Sequence, residues 1–455
     1  MKKSYVIFLL LLGICIGLVF SGTNVIIPLG LLAFLTATTI VLTEYETALY
    51  ILAGYGVIDY VLRLFVPFMS SIWDEAFMCG LVLLWIWKWL VFRKDSAYRH
   101  SPVAVSLIGF ISVMLIVLIT NSPDFSIGLE GFRVMVQYTL WYFVVIQLVK
   151  DNSTARRICI IFALITGLMA LHGVYQFVVG AEMPAGWVDR NEAGVRTRVY
   201  SILTSPNIFG SLLTLATPIT TSIAISTRDN KGRIIFGGLA LAMAASLVFT
   251  FSRGAWIGFM VAFCAYVLIK DKRLIIPGII MAVLVVVLVP SVGNRITYML
   301  SPEYIESSLR GGRLIRWITG LRILSFFPFM GVGLGHFGGA VAMNHGLSTM
   351  LDGEYTETFY MDNYYLKTAV ETGVFGGVAM LMLMYCVFIS CLRTVKSVEN
   401  KAHKELSVGI MSGLCGVMVH NFVENVFEVP MMASLFWLFV GVIMAVWYNS
   451  RKEEC

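Results

Sequence analysis

The chain has 455 residues, of which 58% are hydrophobic and only 13% charged, with a mean hydropathy of +0.83. That much apolar surface cannot be hidden beneath a polar shell, which excludes an ordinary soluble domain and places the chain in a bilayer. The net charge of +6 comes from short Lys and Arg clusters between apolar runs, with no basic tail or low-complexity tract, so it orients membrane segments and gives no support for nucleic-acid binding.

Met1-Lys2-Lys3 followed by the apolar stretch Tyr5 to Phe20 imitates a signal peptide. No clear A-x-A cleavage site follows and a second apolar run begins almost at once, so this stretch is expected to remain as a first helix. Apolar runs long enough to cross about 30 Å of hydrocarbon predict fourteen spans, near 5–20, 25–42, 48–68, 72–92, 102–120, 132–149, 158–179, 199–225, 234–251, 254–270, 274–291, 364–392, 407–427 and 430–447. The expected fold is an all-α integral membrane bundle of about 12–14 transmembrane helices. It divides into residues 1–292 with helices 1–11, a long, partly helical extracytoplasmic loop at 293–361, and C-terminal transmembrane helices with a short cytoplasmic tail at 362–455.

Alternate connections carry Arg93, Lys94 and Arg99; Lys150, Arg156 and Arg157; Arg228, Lys231 and Arg233; Lys270, Lys272 and Arg273; and Arg393, Lys396, Lys401 and Lys404. With Lys2, Lys3, Arg451 and Lys452 this puts twenty of the 33 basic residues on one side, which the positive-inside rule makes cytoplasmic along with both termini. Nine others, Arg190, Arg196, Arg198, Arg253, Arg295, Arg310, Arg313, Arg316 and Arg322, fall in outer connections, and all are arginine. Arginine pairs bidentately with phosphate and carboxylate, so the set points to anion recognition. The bland alternative is pairing with Asp189, Glu192, Glu303 or Glu306, or with lipid headgroups, but those acids are few and scattered.

Ser252-Arg253-Gly254 separates two apolar runs so closely that only a tight outer hairpin fits, presenting Arg253 at the surface. Arg198 and Ser205-Pro206-Asn207 open the eighth span. Within the long loop, Arg313, Trp317 and Gly320 or Leu321 recur at helical spacing beside Arg316 and Leu314, predicting a short interfacial helix with a basic edge and an aromatic anchor. The glycines of Gly331-Val-Gly-Leu-Gly-His336 allow either a phosphate-cradling turn or a plain packing loop; without a preceding soluble strand they do not make a dinucleotide site.

Asp362, at the start of the twelfth span, is either a helix cap or a general base, and Asn363 and Glu371 follow it. His420, Glu424 and Glu428 fall four apart, which predicts one helix face near the outer end, serving either a structural network or catalysis. The eight cysteines and six histidines show no CxxC or HExxH spacing, so no metal and no cofactor is expected.

These motifs, in this order, resemble the O-antigen ligase and Wzy polymerase superfamily of bacterial polysaccharide assembly. The resemblance runs from about Arg198 to Pro430, through Ser-Pro-Asn207-Ile-Phe-Gly210, Ser252-Arg-Gly-Ala-Trp256, Arg313 to Trp317, Gly331-Val-Gly-Leu-Gly335, Asp362-Asn-Tyr-Tyr-Leu with Glu371-Thr-Gly, and His420-Asn421 with Glu424. It implies transfer of an undecaprenyl-diphosphate-linked glycan, without a metal, on the outer face of the cytoplasmic membrane. The implied partners are the lipid-linked oligosaccharide donor, a glycan acceptor and other polysaccharide-assembly proteins.

Ligases of the superfamily typically carry a histidine where this chain has Asp362, which tilts the expectation towards a Wzy-like polymerase; ligase-type transfer to a lipid or protein acceptor is the alternative. The expected catalytic residues are Asp362, Glu424 and Arg253, with Arg198, Arg313, Arg316, Asn207, His336, Asn363, Glu371 and His420 contacting substrate. From other classes, a small-anion transporter of the bicarbonate type and a non-catalytic structural partner also stand. Transporters favour midplane sites and repeats, whereas here the charges lie at one face and no internal repeat is evident.

Overall fold

A computed structural model describes residues 45–70, 72–91, 99, 101–183, 197–203, 205–310, 312–347, 349–351, 354–356 and 359–453. The spans expected near 5–20 and 25–42 lie outside the described residues. Each of the other twelve meets a helix: α1 (Tyr45–Ala53), α2 (Tyr55–Phe65), α3 (Trp73–Val91), α4 (Pro102–Thr120), α5 (Phe125–Val136), α6 (Trp141–Leu148), α7 (Asn152–Val179), α8 (Pro206–Ser226), α9 (Asn230–Phe249), α10 (Arg253–Lys270) and α11 (Ile275–Leu288). The loop then forms α12 (Pro290–Met299), α13 (Pro302–Arg310), α14 (Arg313–Phe326) and α15 (Ala340–Asn344), before α16 (Tyr364–Ser397), α17 (Lys401–His420) and α18 (Pro430–Glu453).

Seven described helices are long and apolar enough to cross a membrane, and nine spans result if each of two bent pairs counts as one. The protein is therefore an all-helical, multi-pass membrane protein, with one small antiparallel hairpin of Thr349–Leu351 and Glu354–Thr356 among the described residues.

Two single-span expectations are corrected. The span near 48–68 bends by 73° between α1 and α2, and the 274–291 span ends in a 98° turn from α11 into α12. The segment near 132–149 is likewise divided, by a 3-10 turn at Gln137–Leu140, and its helix starts earlier because the Asp124 side chain caps the amides of Ser126 and Ile127.

Contacts between connections confirm that the charges segregate along the bundle. The Arg99 guanidinium donates to the carbonyls of Ile146, Val149 and Lys150 and lies over the Tyr448 ring. Arg156 reaches Ser226 and Thr227, and Lys270 pairs with Glu405. The basic ends of α6, α7, α8, α10, α17 and α18 thus share one end of the molecule, and the arginine-rich loop occupies the other.

At the centre, α17 presents Gly409, Gly413 and Gly416 to α8 and α10. A Cβ on Gly409 would meet the Pro218 carbonyl at 2.6 Å, one on Gly413 the Leu215 carbonyl at 2.5 Å, and one on Gly416 the Gly258 carbonyl at 2.7 Å. In hydrocarbon, where apolar side chains gain nothing by leaving lipid for protein, such small-residue contact is what holds helices together. The close packing fixes the outer ends of α8, α10 and α17 relative to one another, and those ends carry Asn207, Arg253 and His420.

The loop is stitched into α16 where that helix breaks. Gly373 has φ +70°, so the carbonyls of Val370 and Glu371 lose their intrahelical partners and accept instead from the amides of Val332 and Gly333, while Val374 donates to Pro328. The glycines from Gly331 to Gly335 therefore form a packing turn: all three adopt positive φ, and a Cβ on Gly331 would strike the Val370 carbonyl at 2.4 Å. Replacing Gly373 by Ala adds a left-handed alanine and a Cβ 2.0 Å from the Phe329 carbonyl. G373A is expected to destabilise the fold by roughly 2–4 kcal/mol, seen as a lower Tm in detergent, whereas G238A, with no atom within 4 Å of the new Cβ, should match or exceed the wild type.

Candidate active site

The segment before α8 runs through the bundle as irregular chain, so its backbone needs partners. Gln176 of α7 supplies them: its Oε1 accepts from the amides of Tyr200 and Ser201, and its Nε2 donates to the Ser201 carbonyl. Val199 donates to Phe249, which sets the segment against the end of α9. This places Arg198, only 8% exposed, with Nε donating to the Thr250 carbonyl at 3.0 Å and Nη2 to Asn207 Oδ1 at 2.9 Å.

Thr250 opens the expected tight hairpin between α9 and α10, where Ser252 caps α10 by accepting from Ala255. Among the described residues the non-glycine positions with positive φ are Ser201 (54°), three residues after Arg198, and Phe251 (50°), next to the Thr250 carbonyl that Arg198 binds. A left-handed non-glycine residue costs on the order of 1–3 kcal/mol, and such strain persists where surrounding structure over-determines it, often at functional sites.

Arg198, Asn207, Arg253 and Arg313 line one cavity of about 220 Å³ together with Arg295 and Tyr304. Its floor is the outer end of the α8–α10–α17 trio and its roof is α12 and α13. The Arg253 guanidinium stacks over the Tyr304 ring, 4.7 Å from its centroid, a cation–π contact that orients the charge without neutralising it. Distant stretches of sequence thus bring four arginines to one wall.

Two carboxylates stand behind that wall. Glu424 Oε2 accepts from Asn207 Nδ2 at 2.9 Å and from Arg313 Nη2 at 3.2 Å. Asp362 Oδ2 lies 3.0 Å from Arg316 Nη1 and 3.7 Å from Arg313 Nε. Arg313 therefore joins the two acids, and Arg198, Asn207, Glu424, Arg313, Asp362 and Arg316 form one continuous polar chain. Burial pushes the Glu424 carboxyl up to about 7, with Arg313 opposing the rise and Asp362 adding to it. Such a group exchanges its proton near neutral pH.

Several expectations need correction. Asp362 is not the helix cap; Asn363 is, its Oδ1 accepting from Leu366, which leaves the Asp362 carboxylate to the arginines. Nor do His420, Glu424 and Glu428 share a helix face. Helix α17 ends at His420 because Asn421 Oδ1 captures the amides of Val426 and Phe427 and turns the chain. Glu424 is thereby swung to Asn207 and Arg313. Trp317 packs towards the small cluster of Ile323, Phe337, Met361 and Val370 inside the protein, so it is no interfacial anchor.

Other expected substrate contacts lie elsewhere. His336 bonds the Leu334 carbonyl within the glycine turn, beside Asp124. His420 is fully buried beneath Gly254, with Nδ1 on Ser211. Glu371 is buried with Lys367 and Glu428. Conversely, the cavity uses Arg295 and Tyr304, which were not among the expected site residues. Both belong to short helices inside what looks like hydrophilic loop, and the one signal available was that Arg295 belongs to the outer arginine set.

The fold and this polar chain define a multi-pass membrane protein with an arginine-lined cavity flanked by carboxylates at one end of its helices. Residues 238–381 match the family model described as O-Antigen ligase. That match takes in Arg253, Arg295, Arg313, Arg316, Asp362 and Glu371, so this segment of the chain is similar to the O-antigen ligase family. No curated protein matches the chain.

A cavity of this kind should bind inorganic diphosphate. Saturating diphosphate at about 100 times its Kd is expected to stabilise the detergent-purified protein by about 2.7 kcal/mol, and Arg253→Ala should remove most of that gain. An equal thermal shift in wild type and variant would show that the anion binds elsewhere.

Proposed function

We propose that the protein polymerises glycan repeat units carried on undecaprenyl diphosphate, working on the outer face of a bacterial cytoplasmic membrane with both termini in the cytoplasm. The single observation that carries this reading is the convergence of Arg198, Arg253, Arg295 and Arg313 on one cavity, with Glu424 one guanidinium behind it. A lipid diphosphate is both anion and leaving group, and the charge that develops on it is what a preorganised arginine wall stabilises.

In the proposed step, a hydroxyl oxygen of the acceptor glycan attacks the anomeric carbon of the donor sugar. The bond from that carbon to the diphosphate oxygen breaks, the electron pair leaves with the lipid diphosphate, and the hydroxyl proton passes to the Glu424 carboxylate. Arg313 couples binding to chemistry in this scheme. It pairs with Glu424 in the resting protein, and a diphosphate in the cavity competes for the same guanidinium, releasing the carboxylate to act as base. Asp362 stays paired to Arg316 and holds the second arginine in place. Acceptance of another repeat unit, as opposed to a lipid or protein acceptor, is favoured by Asp362 standing where ligases carry a histidine.

The reading is tested in liposomes with a lipid-linked repeat unit. Glu424→Gln should lower kcat by about 10²–10⁴-fold and Arg253→Ala by about 10²–10³-fold, with insertion intact. Wild-type activity should rise as pH increases through about 7, where Glu424 loses its proton, and EDTA should leave the rate unchanged. Normal polymer length from the Arg253→Ala protein would remove this arginine from the mechanism, and loss of activity in EDTA would refute the metal-free scheme.

A further inference from the structure

Behind the polar chain lies a second charged group that the proposed reaction does not use. Lys367 of α16, 4% exposed, places Nζ 2.8 Å from Glu371 Oε2 and 3.0 Å from Glu428 Oε1. Each carboxylate uses its other oxygen to hold the outer loop: Glu371 Oε1 accepts from the Phe337 amide and Glu428 Oε2 from the Ala340 amide. Loop backbone lies directly against the pair, since a Cβ on Gly339 would come within 2.3 Å of Lys367 Cε.

Burying three charges requires desolvation that apolar side chains of the same volume would avoid, so such a group is weak evidence for stability and invites another explanation. Its connections supply one. Between the two held amides the Gly338 carbonyl accepts from the Met361 amide at 2.8 Å, the neighbouring Tyr360 hydroxyl faces Glu428, the Tyr360 carbonyl accepts from Arg316 Nη1 at 3.1 Å, and the same Nη1 binds Asp362 Oδ2 at 3.0 Å. From Asp362 the chain continues through Arg313 to Glu424.

We propose that Lys367, Glu371, Glu428 and Tyr360 form a positioning assembly that sets Arg316, and through it Asp362 and Arg313, against the donor diphosphate. This rests on the functional reading above. None of the four touches substrate. Their part is to fix where the arginine pair stands, because a guanidinium displaced by about 1 Å from its productive place can cost on the order of 10²-fold in rate.

Two variants of the full-length protein test this. Tyr360→Phe cuts the hydroxyl link with little change in volume, and the triple replacement Lys367→Met, Glu371→Gln, Glu428→Gln removes the charges while conserving size. Tyr360→Phe should lower kcat about tenfold and the triple variant about 100-fold, both with KM for the lipid-linked donor within about twofold of wild type. Arg316, held less firmly against the Tyr360 carbonyl and Asp362, should react several-fold faster with phenylglyoxal in both, read by mass spectrometry. A triple variant that keeps both its Tm and wild-type kcat overturns the proposal, as does unchanged Arg316 reactivity in both proteins. Should the triple variant fail to fold, wild-type kcat in Tyr360→Phe decides against it. Absence of transfer by the wild-type protein would defeat the functional reading, and faster Arg316 modification would still show the assembly holding that side chain.

Discussion

A guanidinium group stays charged at any pH a protein meets, so an arginine taken out of water must find acceptors or an anion. Arg198 finds the Thr250 carbonyl and Asn207, Arg313 finds Glu424 and Asp362, and Arg316 finds Asp362 and the Tyr360 carbonyl. All of these links except Arg198–Asn207 join segments more than forty residues apart in sequence. The architecture of the outer end follows from satisfying them: the strained turns at Ser201 and Phe251, the early end of α17, and the folded loop over α16.

Rigidity for this arrangement comes from below. Glycine-mediated contact between α8, α10 and α17 leaves no room for sliding, since their backbones approach through Gly258, Gly413 and Gly416. Removing one acceptor from a buried charge typically costs about 3–5 kcal/mol, so the polar chain tolerates little loss of partners in its resting state. In the proposed mechanism an incoming diphosphate displaces Glu424 from Arg313 without leaving the cation unmet, and so ties donor binding to release of a base.

The sequence made the topology legible because lipid imposes a simple rule: apolar runs span and lysines stay on one side. It also exposed the outer arginines, since so many cations against that rule require a reason. What it concealed were the places where local polarity overrides hydropathy. The run through Phe427 looks like uninterrupted span, yet Asn421 ends the helix at His420 by binding two downstream amides. Asp362 and Asn363 are equally plausible caps as neighbours, and only the presence of Arg316 decides which side chain turns back on the helix. By sequence Lys367 stands at the start of the apolar run 364–392, whereas the loop folds over it and buries it between Glu371 and Glu428. Tyr304, and the place of Arg295 in the same cavity, were hidden for the complementary reason, because short loop helices join the site only through tertiary packing.

The most direct measurement is the position of the phosphorus atoms in a cryo-electron microscopy map of the protein with undecaprenyl diphosphate in nanodiscs. Density for the diphosphate between Arg198, Arg253, Arg295 and Arg313, with Arg313 turned from Glu424, is expected. A diphosphate lodged elsewhere on the outer face, with those four guanidinium groups unmoved, would contradict the assignment of the cavity to the donor.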